Sequence, residues 1–298
     1  MNNKVDNYTK KVNRNSAIVM VFLIILTVIT LLPLWVLFCN ATYKSQDIIK
    51  HSFNLYPHFY LPQNIKELNR LSEIGQVRFQ CINGYINSLI IAGSSTFLAL
   101  FFGTMTAFGL SKYQFKLNKV AFLFILIFLM VPVQVTSVGF VNFMSDLKLT
   151  DTYIPLIVPA IASPAVVFYL KQYMDSNFHP AYVEAARIDG CSEFKTFIKI
   201  AIPMCRPAIF VQAIFAFVAN WNNYYTPSMI LISADQPSEG RIKSPIPMMV
   251  SSVLSQDKLS DLGVKYTAIL LSVVPVVIVY LIFARKIVDN VTAGGVKE

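Results

Sequence analysis

Six long stretches of the chain are free of charged side chains, and polar segments separate them. None of the six contains Asp, Glu, Lys, Arg or His, and they cover residues 17–38, 86–110, 120–142, 152–170, 207–232 and 266–284. At a rise of about 1.5 Å per residue, each is long enough as a helix to cross a hydrocarbon layer of about 30 Å. The alternation of period two that a membrane barrel requires is absent. The pattern therefore predicts an all-α membrane protein with six transmembrane helices.

The composition agrees with this class and changes how the charge is interpreted. Hydrophobic residues make up 55% of the chain and charged residues 14%, whereas a soluble domain carries about 25% charged residues. The formal charge of +9 alone could indicate a nucleic-acid partner. In a membrane protein, however, excess Lys and Arg is typical of cytoplasmic loops and of contact with anionic membrane lipid. We therefore expect no nucleic acid as a partner.

Two short loops set the expected orientation in the plasma membrane. Residues 111–119 carry three lysines and no acid, whereas residues 143–151 carry Lys148 with Asp146 and Asp151. Since short basic loops stay in the cytoplasm, both termini are expected there. The expected organisation is a cytoplasmic tail (1–16), a first span (17–38), an extracytoplasmic loop (39–85), a core with the other five spans (86–290) and a cytoplasmic tail (291–298).

Two further patterns concern packing and cysteine chemistry. Small residues recur every four positions along the second span, and this spacing lets helices approach closely in lipid; they are Ser95, Ala99, Gly103 and Ala107. The four cysteines show no metal-ligand spacing. Cys39 and Cys81 both fall on the expected outer side, where either a disulfide or two free thiols would be possible.

The sequence offers no energy source of its own. It lacks the motifs G-x-x-x-x-G-K-[ST], G-x-S-x-G, H-E-x-x-H and C-x-x-C, and the six apolar stretches hold no Asp, Glu, Lys, Arg or His. Those features carry ATP hydrolysis, nucleophilic or metal-assisted hydrolysis, redox chemistry and most ion coupling. We therefore expect a protein that is not an enzyme. It is either driven by a partner or a passive channel or facilitator; a membrane-embedded enzyme would need acids or histidines that the spans lack.

The polar segment between the fourth and fifth spans predicts two short helices joined by a turn. Pro180 suits the first position of a helix, and Asp189-Gly190 is a turn signal. Residues 192–200 follow an amphipathic helical pattern, which Pro203 ends. These features predict a helix–turn–helix segment over residues 177–203, lying on the cytoplasmic side.

This segment resembles the cytoplasmic signature of ABC importer permeases, in which a short helix docks on an ATPase. The signature consists of Glu184-Ala185-Ala186, then Gly190, and then Ile200-Ala201-Ile202-Pro203. Small alanines permit close docking, and Gly190 permits a turn that is closed to residues with a Cβ atom. Without this spacing, a plain interfacial amphipathic helix would explain the segment.

Four softer motifs occur in the same order as in the carbohydrate-type ABC importer permeases, the maltose and multiple-sugar group, which the chain resembles from about residue 86 onward. They are Val131–Val135, Leu149–Tyr153, Asn220–Asn223 and Val291–Lys297. Two departures are small, because Ile202 replaces the usual Leu and Asn223 stands where Asp is common.

The resemblance implies the type I ABC importer permease fold and a set of partners. These are a second, similar permease subunit, an ATPase dimer that binds ATP and magnesium, an extracytoplasmic solute-binding protein and a carbohydrate; this chain itself would need no cofactor. The outer loop 233–265 would reach the binding protein, and the tail 291–298 would approach the ATPases. The residues implied in ATPase coupling are Glu184, Ala185, Ala186, Arg187, Asp189, Gly190 and Pro203.

A cluster of amide and aromatic side chains in the fifth span is a candidate substrate path. Such polar groups are costly when they face lipid, so they should face the interior of the bundle. They either line the path or form hydrogen bonds between helices. Glycerol-phosphate esters remain an alternative substrate class, although an anion would favour Arg or Lys in the pore. The cluster comprises Asn220, Trp221, Asn222, Asn223, Tyr224 and Tyr225.

Overall fold

A computed structural model describes residues 2–51, 53–232, 243–256 and 261–295 of the chain, with side chains from residue 16 to residue 283 within those ranges. This part of the chain is helical and contains no strand. It divides into two compact units, which are described separately. Unit 1 comprises residues 1–76 and 256–271, and unit 2 comprises residues 77–255 and 272–298.

Unit 1 is built around the end of the first helix. Its helices are α1 (Asn2–Ala41), α2 (Ser45–Lys50), α3 (Leu61–Glu73) and the first part of α15 (Leu262–Gly295). The amide of Asn64 on α3 donates to the carbonyls of Ala41 and Tyr43, both at 2.9 Å. Gly263 lies so close to this point that an added Cβ would sit 2.7 Å from the Tyr43 carbonyl oxygen. These contacts tie α3 and α15 to the end of α1, and Leu68 is buried among them.

Unit 2 contains the longest continuous helix of the core, α4, with shorter elements around it. In chain order its helices are α4 (Cys81–Lys112), α5 (Asn118–Met130), α6 (Val133–Asp146), α7 (Ile154–Ile157) with a 3₁₀ turn (Val158–Ile161), α8 (Pro164–Asn177), α9 (Ala181–Ile188), α10 (Glu193–Thr196), a π-turn (Phe197–Ala201), α11 (Ile202–Met204), α12 (Arg206–Trp221), α13 (Tyr225–Ile230), α14 (Ile246–Leu254) and the remainder of α15.

Helix α4 packs against α8, α12 and α14. The small residues expected to mediate packing do so, because Ser95, Ala99, Gly103 and Ala107 are all buried. At Gly103 an added Cβ would lie only 2.6 Å from Val166 Cγ1 of α8. Close approach of α4 and α8 therefore depends on this glycine.

Four helical segments are long and apolar enough to cross a membrane, although one of them consists of α7, the 3₁₀ turn and α8. They match four of the six predicted spans, and they cover Ser16–Ala41, Cys81–Lys112, Ile154–Asn177 and Leu262–Phe283. Of the other two predicted spans, 120–142 is a bent pair of helices. A second bent pair, Glu193–Met204 with Arg206–Trp221, begins before the predicted span 207–232. The described residues therefore hold four candidate spans, or up to six if each bent pair is one span.

The predicted span 120–142 is broken at Val131 and Pro132. Helices α5 and α6 meet there at an angle of 97°. Proline has no backbone donor and pushes the preceding residue out of the helical region. Val131 accordingly adopts an extended conformation, so the predicted span consists of two helices that meet at a sharp bend.

The predicted span 207–232 is also interrupted. Helix α12 ends at Trp221, and α13 begins at Tyr225. The carboxamide oxygen of Asn223 accepts the Thr226 backbone N–H at 3.2 Å, and so caps the new helix. At its other end α12 forms a bend of 80° with residues 193–204.

Several predicted boundaries can be compared directly with the helices. Helix α1 begins at Asn2, inside the predicted tail 1–16, and α15 extends to Gly295, inside the predicted tail 291–298. The predicted loop 39–85 contains α2 and α3. All four cysteines are free thiols. Of the predicted outer loop 233–265, residues 233–242 and 257–260 lie outside the described residues, and the orientation of the termini stays a prediction.

Candidate coupling segment and polar cavity

The first candidate site is the segment from α9 to α11, which we call the coupling segment (177–203). Pro180 is the cap before α9 and not its first residue, and the helix runs from Ala181 to Ile188. Along this short helix Val183 and Ala186 face the core, and each is 3% exposed. Glu184 and Ala185 lie on the opposite, exposed side.

The structure gives different positions to Ala185 and Ala186, which the sequence signature does not distinguish. Ala186 anchors α9 to the rest of the protein, while Ala185 is open to a partner. The surface also contains apolar side chains that the sequence analysis did not single out. Ile188 is 86% exposed, Phe194 is 61% exposed and Tyr182 is 48% exposed. Exposed apolar side chains grouped in one segment are typical of a surface that binds another protein.

Gly190 closes α9 in a left-handed conformation. Its φ is +73°, a value that L-residues with a Cβ atom adopt at a cost. The Cys191 N–H donates to the Ala186 carbonyl at 2.9 Å, and the Gly190 N–H donates to the Arg187 carbonyl at 3.0 Å. This is the Schellman motif, which ends a helix at a glycine, and Asp189 is the C-cap residue of α9.

The second half of the coupling segment is less regular than the amphipathic pattern predicts. The Ser192 hydroxyl caps α10 by accepting the Lys195 N–H at 3.4 Å, and a π-turn follows over Phe197–Ala201. Pro203 does not end the helix, because α11 continues to Met204. A proline has no backbone N–H to donate to the preceding turn. The π-helical turn just before Pro203 accommodates this missing hydrogen bond.

Three polar side chains fasten the coupling segment to the end of α4. The Tyr113 hydroxyl donates to Glu193 Oε2, and Arg187 Nε donates to Glu193 Oε1 at 2.8 Å. The Arg187 guanidinium also lies over the Tyr113 ring, 5.4 Å from its centroid. We call these three residues the Tyr113–Arg187–Glu193 network. It joins α9, α10 and the residue that follows α4.

The electrostatics of this network are mutually reinforcing. The hydrogen bonds from Tyr113 and then Arg187 lower the pKa of Glu193 below its usual range. Desolvation and the contact with Glu193 raise the pKa of Tyr113 to about 12. The carboxylate is therefore ionised and the phenol neutral across the physiological pH range.

An aromatic cluster lies beneath the network. Phe108 of α4 packs against Phe178 and Phe197, at centroid distances of 6.1 Å and 5.8 Å. Phe178 in turn stacks on Tyr182 of α9 at 5.8 Å. These rings therefore connect α9 to α4 by direct packing, in addition to the network.

The second candidate site is a cavity of about 340 Å³ within unit 2, which we call the polar cavity. No charged side chain is among the described residues that line it. Hydroxyl and amide groups line it together with apolar side chains, and the polar lining residues are Ser88, Thr136, Ser137, Asn220, Asn223, Tyr225 and Thr226.

Three of the six residues of the expected substrate path line the polar cavity, namely Asn220, Asn223 and Tyr225. The Tyr225 hydroxyl lies 2.9 Å from Ser137 Oγ, across the cavity wall. The side-chain NH₂ group of Asn220 donates to the Ala216 carbonyl at 2.9 Å. The side-chain oxygen Oδ1 of Asn220 is then available to a ligand's hydroxyl groups.

The other three residues of that cluster have different positions. Trp221 is 4% exposed, and its indole N–H donates to the Ser272 carbonyl at 3.4 Å, so it serves helix packing. Asn222 is exposed at the end of α12, and Tyr224 is also exposed. None of the three lines the polar cavity.

A second cavity of about 420 Å³ adjoins the first and shares Ala160 and Asn220 with it. Small side chains dominate its wall, together with Gln212. Asn220 therefore stands between a polar chamber and one lined largely by alanine. In neither chamber do the described residues include a group of His, Cys, Asp or Glu suited to hold a metal ion.

Sequence reasoning missed Ser88, Thr136 and Ser137 as cavity residues. They lie within apolar stretches, where a lone hydroxyl gives little signal because it can bond to its own helix. The break at Pro132 was the available clue, since it redirects the helix that carries both Thr136 and Ser137.

Comparison with known proteins identifies the family. The sequence model of the family described as binding-protein-dependent transport system inner membrane component matches residues 99–292. These residues include the coupling segment and most of the cavity wall. The chain belongs to this family. This permease is therefore a multi-pass membrane subunit of an ABC-type importer and is not itself an enzyme.

Curated relatives match the permease over almost its whole length. The arabinooligosaccharides transport system permease protein AraQ of Bacillus subtilis is 28% identical over 93% of this chain and 94% of its own. The diacetylchitobiose uptake system permease protein NgcG of Streptomyces coelicolor is 30% identical over 94% and 89%. The sn-glycerol-3-phosphate transport system permease protein UgpE of Escherichia coli is 27% identical over 88% and 92%.

A solved structure supports the fold. It is the crystal structure of a bacterial ABC transporter involved in the import of the acidic polysaccharide alginate. The TM-score is 0.72, with 19% identity over 92% of this chain and 96% of that chain. The permease thus has the expected ABC importer permease fold.

Proposed function

We propose that the permease forms half of the translocation path of an ATP-driven importer for a neutral oligosaccharide. The observation that carries the substrate class is the polar cavity, whose described lining offers hydroxyls, amides and one tyrosine but no charge. Neutral polar groups are well suited to sugar hydroxyls, whereas a phosphate or uronate would require compensating cations. The names of the AraQ and NgcG relatives agree with such a substrate.

The energy enters, in this proposal, through the coupling segment. Its exposed surface carries two acidic side chains, Glu184 and Asp189, and the small side chain of Ala185. The exposed Ile188 adds an apolar contact. An ATPase dimer that binds ATP and magnesium would dock here, and a second, similar permease subunit would supply the other half of the path. An extracytoplasmic binding protein would deliver the substrate.

The proposed transmission uses α4 as a rigid element. Tyr113, the residue that follows α4, meets the coupling segment, and the first part of α4 carries Ser88 of the polar cavity. Between Ser88 and Lys112 the helix covers about 36 Å at 1.5 Å per residue. When the ATPases close on ATP, the coupling segments of the two permeases move together. Helix α4 then tilts, which opens the cavity to the outer side.

The experiment that tests this function is reconstitution with the partner subunits in proteoliposomes. We expect uptake of a neutral oligosaccharide such as an arabino-oligosaccharide or diacetylchitobiose, dependent on ATP and on the binding protein. An ATPase partner without its catalytic residue should abolish it. ATP-independent exchange by the permease alone would support a passive channel instead. Uptake of glycerol phosphate in preference to every sugar would refute the substrate class.

A further inference from the structure

An aromatic loop in unit 1 lies beside the membrane-crossing part of α1, although the sequence predicts it to be extracytoplasmic. The loop covers residues 53–60 and contains Phe53, Leu55, Tyr56, Phe59 and Tyr60. From residue 53 to residue 65 the sequence holds no Asp, Glu, Lys or Arg. We call residues 53–60 the aromatic loop.

Hydrogen bonds fix the position of the aromatic loop along α1. The Asn54 amide donates to Asn40 Oδ1 at 2.9 Å. One residue later, the Trp35 indole N–H donates to the Leu55 carbonyl at 2.8 Å. The chain then returns, since the His58 N–H donates to Thr42 Oγ1 at 2.7 Å.

The hydrogen bond from Trp35 fixes how far the aromatic loop reaches along α1 toward the membrane interior. Trp35 precedes the last residue of α1, Ala41, by six residues, a distance of about 9 Å along the helix axis. Helical side chains lean toward the start of their helix, so the indole lies at least as deep as its own Cα atom. Trp35 falls inside the uncharged stretch 17–38. The Leu55 backbone therefore lies alongside the end of the membrane-crossing stretch.

Three aromatic side chains of the loop face outward, whereas Asn54 is buried. Tyr56 is 81% exposed and Phe59 is 92% exposed, and Phe53 is also largely exposed. Large aromatic side chains are costly to leave in water. Tyrosine and tryptophan, with an apolar ring and a polar tip, are favoured at the boundary between lipid headgroups and acyl chains.

We propose that the aromatic loop is a membrane anchor, inserted into the interfacial layer of the outer leaflet beside α1. Lipid is the expected partner of the loop, because the loop holds no Asp, Glu, Lys or Arg, reaches the depth of a residue within the apolar stretch and exposes aromatic rings. Tyr56 follows Leu55, the deepest point fixed by a hydrogen bond, so it sits deeper than Phe59. This inference does not depend on the transported substrate or on the ATPase.

The test is depth-dependent fluorescence quenching of the full chain reconstituted in phosphatidylcholine vesicles. Tyr56→Trp and Phe59→Trp each add one indole at an exposed position, and the unsubstituted protein supplies the baseline from Trp35 and Trp221. We expect lipids brominated near the headgroup to quench the added fluorescence. Quenching should be stronger for Tyr56→Trp than for Phe59→Trp, and aqueous iodide should have little effect on either.

Two control variants calibrate the depths. Val28→Trp lies in the middle of the uncharged stretch of α1 and should respond most to bromine near the ends of the acyl chains. Glu73→Trp replaces an exposed charged residue at the end of α3 and should respond to iodide. Circular dichroism and size exclusion show which variants retain the fold.

The proposal is wrong if folded Tyr56→Trp and Phe59→Trp both respond to iodide as Glu73→Trp does and ignore brominated lipid. Should that iodide response then vanish when the binding protein is added, the aromatic loop is a protein-docking surface instead.

Discussion

At the residue scale, the coupling segment depends on one backbone conformation and one polar network. Gly190 supplies a φ of +73°, and an added Cβ there would meet no atom within 4 Å. The cost of a side chain at this position is therefore conformational and not steric. Tyr113, Arg187 and Glu193 then connect the turn to α4.

Three identical substitutions separate strain from function. Gly190→Ala should destabilise the protein by about 1 kcal/mol, because alanine is unfavourable in the left-handed region. Gly75→Ala meets the same strain, with a φ of +72° and equally open space, but lies far along the chain from the coupling segment. Gly93→Ala, in an open position within α4, should be neutral or stabilising by up to about 1 kcal/mol.

Thermal unfolding in detergent measures all three variants, and uptake per ATP hydrolysed measures coupling. Gly190→Ala and Gly75→Ala should unfold at similarly lowered temperatures, while Gly190→Ala has the larger effect on coupling. Equal coupling in the two strained variants would contradict a special role for Gly190.

Glu193→Gln tests the Tyr113–Arg187–Glu193 network. The amide keeps the size of the side chain but loses the charge that holds Arg187 and Tyr113, so less uptake should accompany each ATP hydrolysed. Lys195→Gln, also exposed and on the same short helix, is the matched control and should behave as the unsubstituted protein. A permease whose coupling is unaffected by Glu193→Gln does not use this network.

The lowered pKa of Glu193 fixes the sign of a pH dependence. A carboxylate with a lowered pKa stabilises the folded state above its unfolded pKa, and that stabilisation is lost as pH falls through the folded value. The difference in coupling between the unsubstituted protein and Glu193→Gln should therefore stay constant from about pH 6 to pH 8. A difference that vanished within this interval would mean that Glu193 is protonated there.

At the element scale, α4 is the helix against which α8, α12 and α14 pack. They pack closely because the side chains on its buried face are small. Its buried small residues allow α8 to pack directly against it, and Gly103 is the tightest point. The bend at Pro132 and the interruption between α12 and α13 lie next to polar residues that line the cavity.

Gly103→Ala should weaken the packing of α4 on α8. The added methyl group would lie 2.6 Å from Val166 Cγ1, and overpacking of this kind costs about 1–3 kcal/mol. Gly109→Ala in the same helix meets no atom within 4 Å and serves as the control. The unfolding temperature in detergent should fall for the first variant and not for the second; equal temperatures would show that Val166 moves aside at little cost.

At the scale of the whole molecule, the permease joins two properties that no single element has. It presents a coupling segment at one end of α4 and an uncharged cavity toward the other. The proposed function requires both, because the first receives work and the second holds the transported solute.

Asn220→Asp tests the neutral cavity. The substitution keeps the shape but introduces a carboxylate at the boundary of the two cavities, so uptake of a neutral sugar should fall near neutral pH. Uptake should recover as the pH is lowered and the carboxylate is protonated to its neutral form. Asn222→Asp, exposed at the end of the same helix, should have little effect. Equal effects at both positions would exclude Asn220 from the path.

Features that arise locally along the chain were predictable from the sequence. The six uncharged stretches gave the helical membrane class, and the four-residue spacing of small side chains identified the packed face of α4. The turn at Gly190 was predictable for the same reason, since its conformation depends on one glycine and its neighbours.

Tertiary structure decided which of these residues work together. Tyr113 and Glu193 are 80 residues apart in sequence, and no periodicity reports such a contact. Whether an alanine or a tryptophan faces a partner or the core depends on the neighbouring helices, and so Ala186 and Trp221 became packing residues. The depth of the aromatic loop follows from one hydrogen bond to Trp35. Hydrophobic patterning specifies which surfaces avoid water, whereas the pairing of those surfaces is determined when the helices pack.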